Sequence, residues 1–144
     1  MLKIDETLLR VLGAVPVFSG VGRLELIALL AHAARVQKGA DQLFFDEDEE
    51  GQTFFVFIAG SAVIEKRTAS GWQQLSDLRP GETFGEMAIV DGGKRSARVR
   101  ATTDAVALMF QKNDIELSAE AAIVIYRNIA RILSKRLRHY NEKL

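Results

Sequence analysis

The sequence predicts an α+β fold, an antiparallel β core with helices segregated to its two ends. Three observations carry that prediction. Apolar residues recur at three- and four-residue spacing near the N-terminus, short extended runs separated by glycine turns fill the middle, and residues 114–143 contain neither glycine nor proline. The chain has 144 residues, of which 48% are hydrophobic and 26% charged, so it is long enough for one domain with a substantial core.

Residues 5–36 read as helical, because Leu8, Leu9 and Leu12, then Leu24, Ile27, Ala28, Leu30 and Ala31, repeat on one face. Gly13, Pro16, Gly20 and Gly22 interrupt this pattern, which predicts two or more helices with a turn around Val17-Phe18-Ser19-Gly20. Residues 37–112 switch to extended runs at 42–45, 54–59, 62–66, 73–75, 97–101 and 105–111. Turns carrying Gly39, Gly51, Gly60, Gly71, Pro80-Gly81 and Gly92-Gly93 separate them, at intervals typical of a small antiparallel sandwich or roll. Each glycine falls between apolar strands, so these are tight corners rather than a flexible linker. Residues 114–143 return to helix. With no repeat, low-complexity tract or visible boundary, residues 1–144 read as a single domain.

Charge and cysteine content exclude several classes. The 19 basic and 19 acidic residues cancel, so the overall balance points to neither nucleic acid nor an anionic membrane. Locally, residues 41–50 hold six acids and no base, a solvated acidic loop, and residues 127–138 hold five bases and no acid, a basic helix end favoured by the macrodipole. The absence of cysteine removes disulfides, thiolate catalysis and cysteine-based metal sites. The N-terminus lacks the apolar core of a secretory signal, and no window approaches the ~18 uninterrupted apolar residues of a membrane span. A soluble cytoplasmic protein without membrane association is expected.

The stretch Phe84-Gly85-Glu86-Met87-Ala88-Ile89-Val90-Asp91-Gly92-Gly93-Lys94-Arg95-Ser96-Ala97 carries the most chemical information. It sets an acid and an arginine nine residues apart around a glycine-punctuated turn. An arginine offers a planar fork of donors matched to phosphate oxygens, and a carboxylate accepts hydrogen bonds from sugar hydroxyls. One small anionic nucleotide would satisfy both; an internal ion pair between Glu86 and Arg95 is the alternative. Competing motifs fail. The run Asp46-Glu47-Asp48-Glu49-Glu50-Gly51 begins like a calcium loop, but its twelfth position is Phe57 where a bidentate glutamate is required. Gly92-Gly93-Lys94-Arg95-Ser96 lacks the earlier glycine of a P-loop, since Ala88 stands there, and has Arg95 where Ser or Thr should follow the lysine. His32 and His139 form no ligand cluster, and no nucleophile elbow occurs.

Phe84-Gly85-Glu86-Met87-Ala88 followed by Arg95-Ser96-Ala97-Arg98-Val99 closely resembles the phosphate-binding cassette of cyclic nucleotide-binding domains, the family that includes bacterial catabolite activator proteins and protein kinase A regulatory subunits. Three further blocks resemble the same family: the entry helix and turn from Leu9 to Ser19, the hairpin around Phe55-Val56-Phe57-Ile58-Ala59-Gly60-Ser61-Ala62-Val63, and the cassette approach Leu78 to Glu86. The likeness covers roughly residues 8–140. It implies an antiparallel double-stranded β-helix, a jelly-roll-like roll of eight strands flanked by N-terminal helices and a long C-terminal helix, with the cassette at 84–97. It also implies that the cyclic phosphate lies on a short helix starting at Gly85, where glycine lets the backbone approach and exposed N–H groups attract an anion. Gly85, Glu86, Met87, Ala88, Arg95 and Ser96 are then the ligand-binding residues. Arg95 would pair with the phosphate, Glu86 would accept the ribose 2′-hydroxyl, and the Ser96 hydroxyl would bond a phosphate oxygen or the base. Ile64, Leu75 and Leu78 match the family's pocket wall. Many relatives carry proline before the arginine, whereas Lys94 stands here.

Within the last helix, Tyr126, Ala130, Leu133, Leu137, Tyr140 and Leu144 follow 4-3-4-3-4 spacing, an a/d seam able to bury against a partner helix or to pack on its own domain. In the catabolite-activator branch the matching helix dimerises and supplies residues that cap the adenine, and those positions fall on Tyr140 and Asn141. The chain is therefore expected to be a cyclic nucleotide sensor for cyclic AMP, with cyclic GMP the other base choice because Ser96 does not settle it. It is expected to be a homodimer that signals through its C-terminal helix to an unidentified protein partner. No catalysis, metal, cofactor or direct DNA reading is expected. The alternative is a degenerate, non-binding scaffold or dimerisation module.

Overall fold

Strands dominate residues 33–112, which with residue 2 form one of two compact units in the computed structural model; residues 3–32 and those from 113 on form the other. The structure describes residues 2–142. In the first unit eight strands follow in order: β1 (Ala34–Lys38), β2 (Leu43–Phe45), β3 (Thr53–Ala59), β4 (Ala62–Thr68), β5 (Gly71–Leu78), β6 (Thr83–Phe84), β7 (Arg98–Ala101) and β8 (Ala105–Gln111). They pair antiparallel in two four-stranded sheets, β1-β8-β3-β6 and β2-β7-β4-β5, the eight-stranded roll that the resemblance implied.

Side-chain alternation fixes the register and the core between these sheets. Phe55 and Phe57 of β3, Phe84 of β6, Ala62 of β4, Val99 and Ala101 of β7, and Ala105 and Ala107 of β8 form one buried cluster with Leu78. Phe55 pairs with Phe84 across β3 and β6, and their rings stack 4.8 Å apart; Phe44 meets Phe84 edge-on at 5.3 Å. Burying each such ring contributes about 1.5–3 kcal/mol, so the aromatic wedge holds the two sheets together. The same wedge anchors β6, which leads directly into α3 (Glu86–Asp91).

The second unit contains α1 (Glu6–Gly13), a 3-10 turn (Pro16–Phe18), α2 (Arg23–His32), the end of α4 (Lys112–Ile115) and α5 (Ala119–Glu142). Asp5 caps α1 by accepting the Leu8 N–H at 2.9 Å, and Leu9 and Leu12 face inward. Asn128, on the buried face of α5 with Ala121, Ile125 and Ile129, donates to the carbonyls of Val17 and Ser19 at 3.0 and 2.8 Å. Those bonds tie the 3-10 turn to α5 through groups that would be costly to bury unpaired.

Several expected boundaries move. Helix does not continue from 5 to 36: α2 stops at His32 and residues 34–38 become β1. Ala34, Val36 and Lys38 are half-buried while Arg35 and Gln37 are exposed, a period of two that pairing with β8 enforces. The expected single helix over 114–143 is broken after Ile115, because Ser118 starts a new one, its hydroxyl accepting the Ala121 N–H at 3.2 Å. The buried face of α5 runs through Ala121, Ile125, Asn128 and Ile129, one position away from the expected seam. Of that seam, Tyr126 and Leu133 are half-buried, Ala130, Leu137 and Tyr140 are exposed, and Leu144 lies outside the described residues.

Candidate functional site

The cassette is built where β6 ends. Gly85 adopts φ +79°, a left-handed conformation that lets the chain turn into α3. A Cβ there would come within 2.9 Å of Arg95 Nη1 and 3.1 Å of Phe45 Cε2, so this position requires glycine for space as well as for its backbone angle. Glu86 follows, only 2% exposed, then Met87, half exposed, and buried Ala88. The helix ends after six residues, where Gly92 N–H donates to Ala88 O and Gly93 N–H to the Asp91 carboxylate.

Arg95 returns beneath this turn and is 5% exposed. Its backbone is tied to the acidic loop: its N–H donates to Glu49 O, and its carbonyl accepts from Asp48 N–H, both at 2.9 Å. The guanidinium lies 4.2 Å from the centre of the Phe45 ring. Nη1 donates to the carbonyls of Thr53 (3.0 Å) and Gly85 (2.9 Å), and Nη2 donates to Thr53 Oγ1 (2.8 Å). All three acceptors are uncharged. Burial pulls the arginine's pKa below its ordinary value, while the charges of Glu49 and Glu86 push it back; the guanidinium stays protonated at neutral pH. Desolvation of this kind strengthens the attraction of a cation for an incoming anion.

Ser96 is exposed, and its carbonyl accepts from Lys66 Nζ at 2.9 Å. Lys66 also reaches Glu47, 4.0 Å away, whose other carboxylate oxygen accepts the Arg67 N–H at 3.0 Å. The acidic loop is thus more than a solvated run: two of its backbone groups hold the Arg95 backbone, and the Glu47 side chain holds Lys66 and the Arg67 N–H on β4. Of the expected wall, Leu78 is buried in the core and Ile64 packs against it, whereas Leu75 is the extra residue of a bulge between β4 and β5 and is 53% exposed. Gly85, Glu86, Met87, Ala88, Arg95 and Ser96 fall together in the roll. Tyr140 and Asn141 lie on the exposed last turns of α5 in the other unit.

Thr53, Phe45 and the Glu49 backbone were not legible as site residues. Thr53 sits at the first position of β3, and no spacing rule links it to an arginine 42 residues on. Among the described residues there is no group of three metal-ligating side chains and no helix long and apolar enough to cross a membrane.

A β-roll that buries an arginine against neutral acceptors beside a glycine-initiated turn has the chemistry of an anion site. The profile of the cyclic nucleotide-binding domain family matches residues 35–117, and the chain belongs to that family. It is 28% identical over 130 residues to the Cyclic AMP receptor protein of Thermus thermophilus, covering 90% of this chain and 60% of that protein. It is 26% identical over 135 residues to the CRP-like cAMP-activated global transcriptional regulator of Mycobacterium tuberculosis, covering 93% and 60%. The crystal structure of Thermus thermophilus Catabolite Activator Protein superposes with a TM-score of 0.78 at 27% identity, over 89% of this chain and 61% of that one. The chain therefore spans about 60% of the length of the curated relatives it matches.

Proposed function

We propose that this domain binds a 3′,5′-cyclic nucleotide, with cyclic AMP the preferred ligand, and relays occupancy through α5. The observation that carries the reading is Arg95: a buried cation held in place by neutral oxygens and a ring, next to the buried carboxylate of Glu86. A cyclic phosphate would supply the direct negative partner, Glu86 would accept the ribose 2′-hydroxyl, and Ser96 would add a hydroxyl at the phosphate or base. Gly85, Met87 and Ala88 would contribute backbone close to the sugar and phosphate, with Ile64, Leu75 and Leu78 along the wall. The names of the relatives above support cyclic AMP, and Ser96 leaves cyclic GMP as the competitor to test.

The output we assign to α5 rests on its exposed apolar residues. Ile123, Leu137 and Tyr140 are each at least 60% exposed. With Ala130 they extend a heptad-spaced stripe along the helix that a second copy would cover. Leu137→Asp should convert a dimer to a monomer in sedimentation equilibrium without changing the roll. Tyr140 and Asn141 would act at the base only when α5 and the ligand meet, so Tyr140→Ala should alter base preference more than overall affinity. No step here needs catalysis, a metal or a cofactor.

A thermal shift tests binding directly. Cyclic AMP at 100 times its Kd should add about 2.7 kcal/mol of stability. No shift with cyclic AMP or cyclic GMP at millimolar concentration would favour the scaffold alternative.

A further inference from the structure

We propose that Thr53 is the positioning residue of the phosphate clamp, choosing which edge of the Arg95 guanidinium faces the ligand; the proposal rests on Arg95 being the phosphate-binding group. A guanidinium has five N–H donors in one plane. The bonds to Thr53 O and Gly85 O use both hydrogens of Nη1, and the bond to Thr53 Oγ1 uses one hydrogen of Nη2. The two remaining donors, Nε–H and the second Nη2–H, lie side by side on one edge. That edge matches two oxygens of a single phosphate.

Thr53 is suited to this task in three ways. It begins β3 and is paired with Gln111 of β8, so its backbone carbonyl is fixed by the sheet. As a β-branched residue it has a stiff χ1, which fixes the hydroxyl as well. Its acceptors are neutral: they orient the arginine without cancelling its charge, which an aspartate at the same place would do. Gly51 keeps the ligand-facing edge clear, since a Cβ there would approach Nη2 to 3.0 Å and Nε to 3.5 Å. Phe45 closes one face of the plane at 4.2 Å. Without the Oγ1 bond the guanidinium would keep only its Nη1 anchors and could turn about them.

The test compares the wild-type chain with Thr53→Val, which keeps the shape but loses the hydroxyl, Thr53→Ala, a second way to remove it, and Thr53→Ser, which restores it. In ¹⁵N-labelled, ligand-free protein, Arg95 Nη–H signals should be resolved in the wild type and in Thr53→Ser, and averaged by rotation in Thr53→Val and Thr53→Ala. Calorimetry with cyclic AMP should give about ten-fold weaker binding for the two hydroxyl-free variants and near wild-type binding for Thr53→Ser. The affinity ratio between the Rp and Sp phosphorothioates of cyclic AMP, which probes contacts to individual phosphate oxygens, should fall toward one in the same two variants. A merely structural threonine would leave that ratio alone. Resolved Arg95 signals and unchanged affinity in both hydroxyl-free variants would overturn the proposal. Signals that average as expected in the two hydroxyl-free variants, together with a wild type that binds no cyclic nucleotide, would support Thr53 as the residue that fixes Arg95 and overturn the ligand assignment instead.

Discussion

Two arginine sites in the same β-roll unit are built on opposite plans. On one face, the buried Glu65 carboxylate takes hydrogen bonds from Arg98 Nε (3.0 Å), Arg100 Nε (2.9 Å) and Arg100 Nη2 (3.1 Å), and Arg100 also reaches Asp41. Arg98 in turn lies 3.5 Å over the Trp72 ring. Charges there are satisfied within the protein. Arg95 is at least as deeply placed, yet its hydrogen bonds go to Thr53 and Gly85 oxygens, which carry no charge. A closed ion cluster stabilises the sheet and offers nothing to a ligand. A cation fixed by neutral acceptors retains its field for one.

Breaking the closed cluster should have the largest effect on stability. Glu65→Gln leaves Arg98 and Arg100 without their shared carboxylate, and the expected loss is about 3 kcal/mol in denaturant unfolding, with cyclic AMP affinity unchanged. The reverse pattern is expected at the other site. Arg95→Ala should weaken cyclic AMP binding by roughly 10- to 150-fold, because one charge-assisted contact is worth ~1.5–3 kcal/mol, and should cost less stability than Glu65→Gln. Trp72→Ala, which removes the ring under Arg98, should cost about 1 kcal/mol and leave binding intact. Smallest of all, Asp41→Asn should change stability by less than about 0.5 kcal/mol, since its carboxylate is 83% exposed.

Acid sharpens the same contrast. The hydrogen bond from Arg100 is the main influence holding Glu65 below its ordinary carboxylate value of 4.5, burial opposes it, and Arg98 adds to the lowering. A carboxyl with a depressed folded pKa contributes stability that is complete above its unfolded pKa and is lost as pH falls through the folded value. The stability gap between wild type and Glu65→Gln should therefore be constant near neutral pH and shrink below about pH 4.5. A gap independent of pH down to 3 would mean that the carboxylate charge is not what the arginines hold.

The cassette could be read from sequence because its chemistry is local: Gly85, Glu86, Arg95 and Ser96 lie within a dozen residues, and the glycines mark the turns between them. What escaped depends on distant pairing. Thr53 and Phe45 become partners of Arg95 only when β2, β3 and the cassette are folded together, and the Glu49 backbone contact involves no side chain at all. β1 was hidden because Ala33 and Ala34 continue a helical composition, and only pairing with β8 reveals its period of two. The break before α5 was legible in principle, since Ser118 is a good N-cap, but the apolar spacing on either side masked it. Leu75 was assigned to the wall by resemblance alone; that it stands as the extra residue of a bulge depends on how β4 and β5 pair, which no local pattern shows.

The most direct measurement is calorimetric titration of cyclic AMP into wild-type protein, Arg95→Ala and Arg95→Lys, each checked for an intact fold. Saturable binding is expected for the wild type, with a loss of roughly 10- to 150-fold for Arg95→Ala and an intermediate loss for Arg95→Lys, which keeps the charge but not the fork. Equal affinity in all three proteins would contradict it.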